Sequence, residues 1–133
     1  MSKTITLKSV LAFLCCLLLI AESHAQTYEK ITSDARSSLY LVKGSVDRTG
    51  KGGANFPSLT VLLDFPTGLP TSAGVAASVT IDMFLDCSLG RQIITQKTFH
   101  GGGMGAGKTV MVDYEPSNND VRAGFLMLYK RLC

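Results

Sequence analysis

The chain has 133 residues with a net charge of +3, four cysteines, two histidines and no tryptophan. Such a length suits one modest domain. The positive surplus is too mild to argue for nucleic acid.

The N-terminus has three zones. Lys3 and Lys8 give a positive start, Val10 to Ala21 is an unbroken apolar run, and Ser23-His24-Ala25 puts small residues at −3 and −1 before Gln26. This is the layout of a cleaved secretory leader, 1–25. Twelve apolar residues, 10–21, cover about 18 Å of a hydrocarbon core about 30 Å thick, which is short for a membrane anchor. Cys15 and Cys16 sit inside the apolar run after Leu14, not after a small residue, so they lack the setting of a lipid-attachment cysteine. Cleavage leaves about 108 residues with a charge of about +2.

Gln26 to Ala35 is polar and without period, and 26–37 is read as a flexible lead-in to a single domain over 38–133. Leu39 to Lys43 reads as a short strand ended by Gly44, followed by a loop, Asp47 to Gly53, with three glycines. Ser58 to Phe65 is the next strand, and Pro66 and Pro70 are expected to stop it. From Val75 to Cys87 the pattern is clearest. Ile81, Met83, Leu85 and Cys87 fall on one face, Thr80, Asp82, Phe84 and Asp86 on the other. Ser88-Leu89-Gly90 is a turn, and Arg91–Phe99 and Thr109–Tyr114 are further strands around a glycine-rich segment.

The C-terminus changes period. Ser117, Asn118 and Asn119 are candidate helix caps, and Val121, Phe125, Leu128 and Leu132 then recur as one helical stripe. Lys130 and Arg131 lie in the last turn, where cations suit the helix dipole. The fold class is therefore α+β, an antiparallel sheet of about five or six strands with one C-terminal helix. After cleavage only Cys87 and Cys133 remain, and an even pair in an oxidising compartment implies a disulfide. A helix lying on the apolar face that carries Cys87 would bring the two sulfurs together.

Gly102 to Thr109 matches the phosphate-loop pattern G-x-x-x-x-G-K-[ST] letter for letter. That chemistry needs a following helix whose amides hold the phosphates. Thr109 to Tyr114 alternates like a strand instead, so the segment reads as a loop between antiparallel strands, with no nucleotide and no cofactor expected. His100, alone in the mature chain, is expected as a solvated loop residue, and Asp82 and Asp86 as solvated face residues. No constellation has catalytic or metal-ligand spacing, and the chain is read as non-enzymatic. Candidate protein-binding positions are the basic residues Arg48, Lys51, Arg91, Lys97 and Lys108, and Phe84 among polar neighbours.

In order and spacing, Asp86-Cys87-Ser88-Leu89-Gly90-Arg91, Gly103-Met104-Gly105-Ala106-Gly107, Pro116-Ser117-Asn118 and a helix ending in Cys133 resemble the surface-adhesin protein E family of exported bacterial proteins. Leu39 to Arg48 is similar to that family's first strand and turn. The resemblance covers 38–133. It implies a small antiparallel sheet tied to a C-terminal helix by Cys87–Cys133, a Gram-negative location (periplasm, outer surface or secreted), and adhesion to host extracellular-matrix or serum proteins. The chain departs from the family in lacking tryptophan and a lipid-attachment signal. A second expectation of another class is a periplasmic inhibitor or immunity-type protein acting on an envelope enzyme or toxin. An uncovered sheet edge also allows a homodimer.

Overall fold

The computed structural model describes residues 26–120 and 123–133, so the expected leader, 1–25, lies outside the described residues. The strands are β1 (Tyr28–Ser33), β2 (Ser38–Val42), β3 (Ser58–Thr71), β4 (Gly74–Asp86), β5 (Arg91–His100), β6 (Thr109–Asp113) and β7 (Ser117–Asp120). Among the described residues one α-helix, α1, spans Ala123–Leu132. The expected α+β architecture is present. The strands form one antiparallel sheet in the order β1-β2-β3-β4-β5-β6, with β7 joined to β5. Both β6 and β7 use the same edge of β5, opposite Lys97–His100 and Arg91–Ile94 respectively. Pro116 lies in the gap between them, where no ladder hydrogen bond is asked of it.

Local chemistry sets the hairpins. Between β1 and β2, Asp34 Oδ1 accepts hydrogen bonds from the amides of Arg36 and Ser37 at 2.7 and 2.8 Å. Between β4 and β5, Asp86 Oδ1 accepts from the Ser88 hydroxyl at 2.6 Å and from the Ser88 and Leu89 amides. Gly90 closes that turn at φ +64°, a conformation that costs glycine little.

Residues paired across antiparallel strands share a face. Leu39, Leu41, Leu59, Val61, Val79, Ile81, Met83, Leu85 and Ile94 form the apolar face, and Phe125 and Leu128 of α1 complete the core over it. Leu85 and Leu128 are both 0% exposed. Each such burial is worth about 1.5–3 kcal/mol. The predicted alternation Ile81, Met83, Leu85 thus faces the helix, and Cys87, next in that series, bonds to Cys133 with Cα atoms 5.4 Å apart. Arg131 of α1 also pairs with Glu29 of β1 through both carboxylate oxygens.

Three expectations are corrected. The supposed lead-in contains β1, an edge strand whose helix-facing Glu29 breaks any apolar period but meets Arg131. The prolines do not end β3: regular pairing lapses between Asp64 and Leu69, and Leu69–Thr71 resumes it opposite Gly74–Ala76. Pro66 sits in that bulge, and β2 reaches only as far as Asp64, so beyond it one edge of β3 has no strand partner among the described residues. Ser117–Asn119, read as helix caps, belong to β7 instead. Val121 of the predicted stripe lies outside the described residues, while Phe125, Leu128 and Leu132 pack as expected.

Candidate functional site

The face turned away from α1 is polar. Register places Ser58 beside Phe84, Thr60 beside Asp82, Leu62 beside Thr80 and Asp64 beside Ser78 across β3 and β4. Strand β5 adds Ile93, Gln96, Thr98 and His100 to the same four rows. Both ends are covered. At one end the glycine-rich loop folds back over the sheet: the Met104 amide donates to Asp64 Oδ1 at 2.7 Å and the Gly105 amide to Ser78 Oγ at 2.8 Å. Ser78 Oγ in turn donates to the Gly102 carbonyl at 2.7 Å. Beneath this loop Leu62 is fully buried. At the other end Phe56, on the loop before β3, stacks on Phe84 with centroids 5.2 Å apart and ring planes 17° apart.

Between these covers lies an open groove of two adjoining hollows. One, of about 240 Å³, is lined by Ser45, Ser58, Thr60, Asp82, Phe84 and Thr95 among others. The other, of about 420 Å³, is lined by Gln26, Thr60, Thr80, Asp82, Thr98, His100 and Gly105. Thr60 and Asp82 belong to both, and Thr60 Oγ1 donates to Asp82 Oδ1 at 2.6 Å. The Gln96 amide group donates to Thr98 Oγ1 at 3.1 Å. Thr95 is the extra residue of a bulge opposite Asp82–Met83, and its hydroxyl donates to the Asp82 carbonyl at 3.1 Å.

His100 is not the solvated loop residue expected. It ends β5, is half-buried, and shares a hydrogen bond between its Nε2 and Thr80 Oγ1. Burial pushes its pKa below the ordinary value, which favours the neutral ring. A hydroxyl on a neutral imidazole invites comparison with a nucleophile and its base, but the orienting carboxylate and free oxyanion donors of that machinery are not found beside it among the described residues. Among the described residues no carboxylate bonds the ring, and the loop amides nearest the groove are taken up by Asp64 and Ser78. The same commitment bears on the phosphate-loop pattern: a carboxylate occupies the amide that an anion would need, and β6, not a helix, follows the loop. Among the described residues no group of three or more histidine, cysteine or acidic side chains could hold a metal ion. Among them, too, no helix is long and apolar enough to cross a membrane.

The predicted binding positions scatter. Arg48 donates to the Ala54 carbonyl at 3.2 Å and to the Leu132 carbonyl at 2.7 Å, clamping the end of α1. Lys51 is exposed in the same loop. Lys97 lies on the helix side and pairs with Asp113 at 3.5 Å. Arg91 stands on the open side near Asp86, 3.9 Å away, and Lys108 is exposed beside β6. Phe84 does flank the groove, half-buried under Phe56 and not projecting freely. Asp86 holds its turn, and Asp82, expected as a solvated residue, is half-buried at the groove's centre. Sequence reasoning missed Thr60, Thr80 and Thr98. The signal available was the polar side of the β4 alternation, which names Thr80 and Asp82 but not their neighbours on other strands.

No family model matches the chain, and no curated protein matches it in sequence. Solved structures do. Crystal form II of Haemophilus influenzae protein E superposes with a TM-score of 0.63 at 12% identity, over 80% of this chain and 86% of that one. Another structure of Haemophilus influenzae protein E gives 0.62 at 13% identity, over 80% and 83%. Its selenomethionine form gives 0.58 at 12%, over 81% and 93%. At such identity the likeness is one of architecture: the fold of this chain is similar to that of Haemophilus influenzae protein E.

Proposed function

We infer that the chain is an exported, non-enzymatic binding protein whose open sheet face receives a protein partner. The observation that carries this is the groove itself. It is open to solvent and floored by three strands. Its donors and acceptors are mostly neutral hydroxyls and amides, and a loop and an aromatic stack bound its two ends. Neutral polar groups on a rigid sheet release water at modest cost and can pair with main-chain and side-chain groups of a partner. The protein E-like fold and the sequence resemblance to the surface-adhesin family both support adhesion to a host extracellular-matrix or serum protein. The disulfide fits a chain that works outside the cytoplasm.

Binding of the purified, oxidised protein to immobilised matrix and serum proteins tests this reading. A saturable signal that a reduced and alkylated sample lacks is the expected result. Absence of binding, together with recovery of one stoichiometric envelope enzyme or toxin on pull-down, would replace adhesion by the inhibitor or immunity role.

A further inference from the structure

Among the described residues three acidic side chains sit in ion pairs, and Asp34 and Asp47 are hydrogen-bonded within their own turns. Glu29 has Arg131, Asp113 has Lys97, and Asp86 has Arg91. On the open face, Asp64 is engaged by the Met104 amide. Asp82 differs. It is half-buried and lines both hollows of the groove, yet it takes part in none of the ion pairs among the described residues. Its side chain accepts one hydrogen bond, from Thr60 to Oδ1, which leaves Oδ2 facing no donor among those residues.

A carboxylate partly withdrawn from water gains most from a cation that brings N–H donors with it. The surrounding groups suit the rest of such a cation. The hydroxyls of Thr80 and Thr98 and the amide of Gln26 can accept further N–H bonds, and Phe84, on the next row of β4, offers an apolar surface for a methylene stem. A planar guanidinium uses more of these acceptors at once than an ammonium does.

We propose that the groove takes a basic side chain of the partner protein, arginine foremost, with Asp82 as its counter-ion. This deepens the binding role inferred above and rests on it. The partner segment lies along the open face, its cation between the glycine-rich loop and the Phe56–Phe84 stack.

The test uses the isotopically labelled, oxidised protein and two probes, acetyl-Gly-Arg-Gly-amide and the same peptide with citrulline in place of arginine. The arginine peptide is expected to shift the amide resonances of Thr60, Thr80, Asp82 and Thr98. Citrulline keeps the shape and loses the charge, and should bind about tenfold more weakly or worse. Asp82→Asn should weaken the arginine peptide by a similar factor. Equal binding of both peptides, or perturbation confined to other surfaces, overturns the proposal, and this comparison in the unmodified protein stands even if the variant misfolds. Failure here is distinct from failure of the broader role. A matrix or serum protein that binds Asp82→Asn as well as wild type keeps the binding role and removes the basic side chain from it.

Discussion

Tyr129 donates its hydroxyl hydrogen to the main-chain carbonyl of Cys87 at 2.6 Å, one residue from the end of β4. The helix is thus joined to this strand end twice, once by that bond and once by the Cys87–Cys133 disulfide. The Cys87 amide, for its part, donates to the Asn55 carbonyl at 2.9 Å, so the loop before β3 meets the same point. Tyr129→Phe is expected to lower unfolding stability by about 1 kcal/mol. A Cys87→Ser/Cys133→Ser pair opens a covalent loop with a sequence separation of 46, which chain entropy values at about 4 kcal/mol. Urea midpoints check both figures, with an unchanged slope expected for Tyr129→Phe and a steeper one for the cysteine pair, whose unfolded chain is less compact.

By residue type alone Arg48 is a candidate for partner binding, but its guanidinium holds the Leu132 carbonyl in the last turn of α1. Arg48→Ala should cost about 1 kcal/mol in stability, the usual net worth of a hydrogen bond, since solvent weakens the advantage of the charge at this exposed helix end. The variant's affinity for a partner on the open face should be unaltered. A variant that is fully stable but binds tenfold more weakly would assign Arg48 to the interface instead.

Gly107 has φ +81°, and a Cβ there would stand 2.8 Å from the Gly102 main-chain nitrogen. Backbone cannot step aside as a flexible side chain can. Gly107→Ala is therefore expected to destabilise by about 1–2 kcal/mol or more, since strain of the left-handed region adds to the contact. The loss should be concentrated in the loop, read as faster amide exchange at Met104 and Gly105, whose hydrogen bonds to Asp64 and Ser78 would be broken first.

The pH dependence follows from His100. Burial lowers its pKa in the folded chain, while the unfolded chain takes up the proton near the ordinary value of 6.5. Below that pH the unfolded state binds more protons, so stability falls as pH drops from about 6.5 through the lower folded value. His100→Gln should flatten this stretch when denaturation is followed between pH 7 and pH 5. The carboxylates act in a separate, more acidic window. Glu29 is held low chiefly by its hydrogen bond from Arg131, Asp86 by that from Ser88, and Asp113 by that from the Glu115 amide. Their contribution is present above the ordinary values of 4.5 for glutamate and 3.8 for aspartate and is lost only below them. An unchanged slope between pH 7 and pH 5 in His100→Gln would remove His100 from this role.

Much of the fold is legible because its signals are local. The alternation from Ile81 to Leu85 marks a strand with one buried face, and Phe125, Leu128 and Leu132 mark the helix that covers it. The pairing of Cys87 with Cys133 is legible as an even cysteine pair in a sequence that reads as exported. Strand β1 is hidden because its inward Glu29 is satisfied by a residue 102 positions away, a partner no local window contains. Strand β7 is hidden because Ser117–Asp120 has the composition of a cap and pairs with β5 by position alone. The groove is harder still. Thr60, Asp82 and Gln96 come from three strands and become neighbours only through register, which bulges at Asp64–Leu69 and at Thr95 displace. The Phe56–Phe84 stack needs the course of a glycine-rich loop, on which residue type says nothing.

Two substitutions on opposite sides of the sheet decide which surface does the binding. Thr98→Arg places a bulky cation in the groove, whereas Leu126→Arg alters the outward side of α1, where Leu126 is already 42% exposed. With a matrix or serum protein immobilised and both variants confirmed folded, Thr98→Arg should weaken binding about tenfold or more, as blocking a central contact does, and Leu126→Arg should match wild type. Undiminished binding by Thr98→Arg, with loss on Leu126→Arg, would put the partner on the helix and contradict a binding role for the open face.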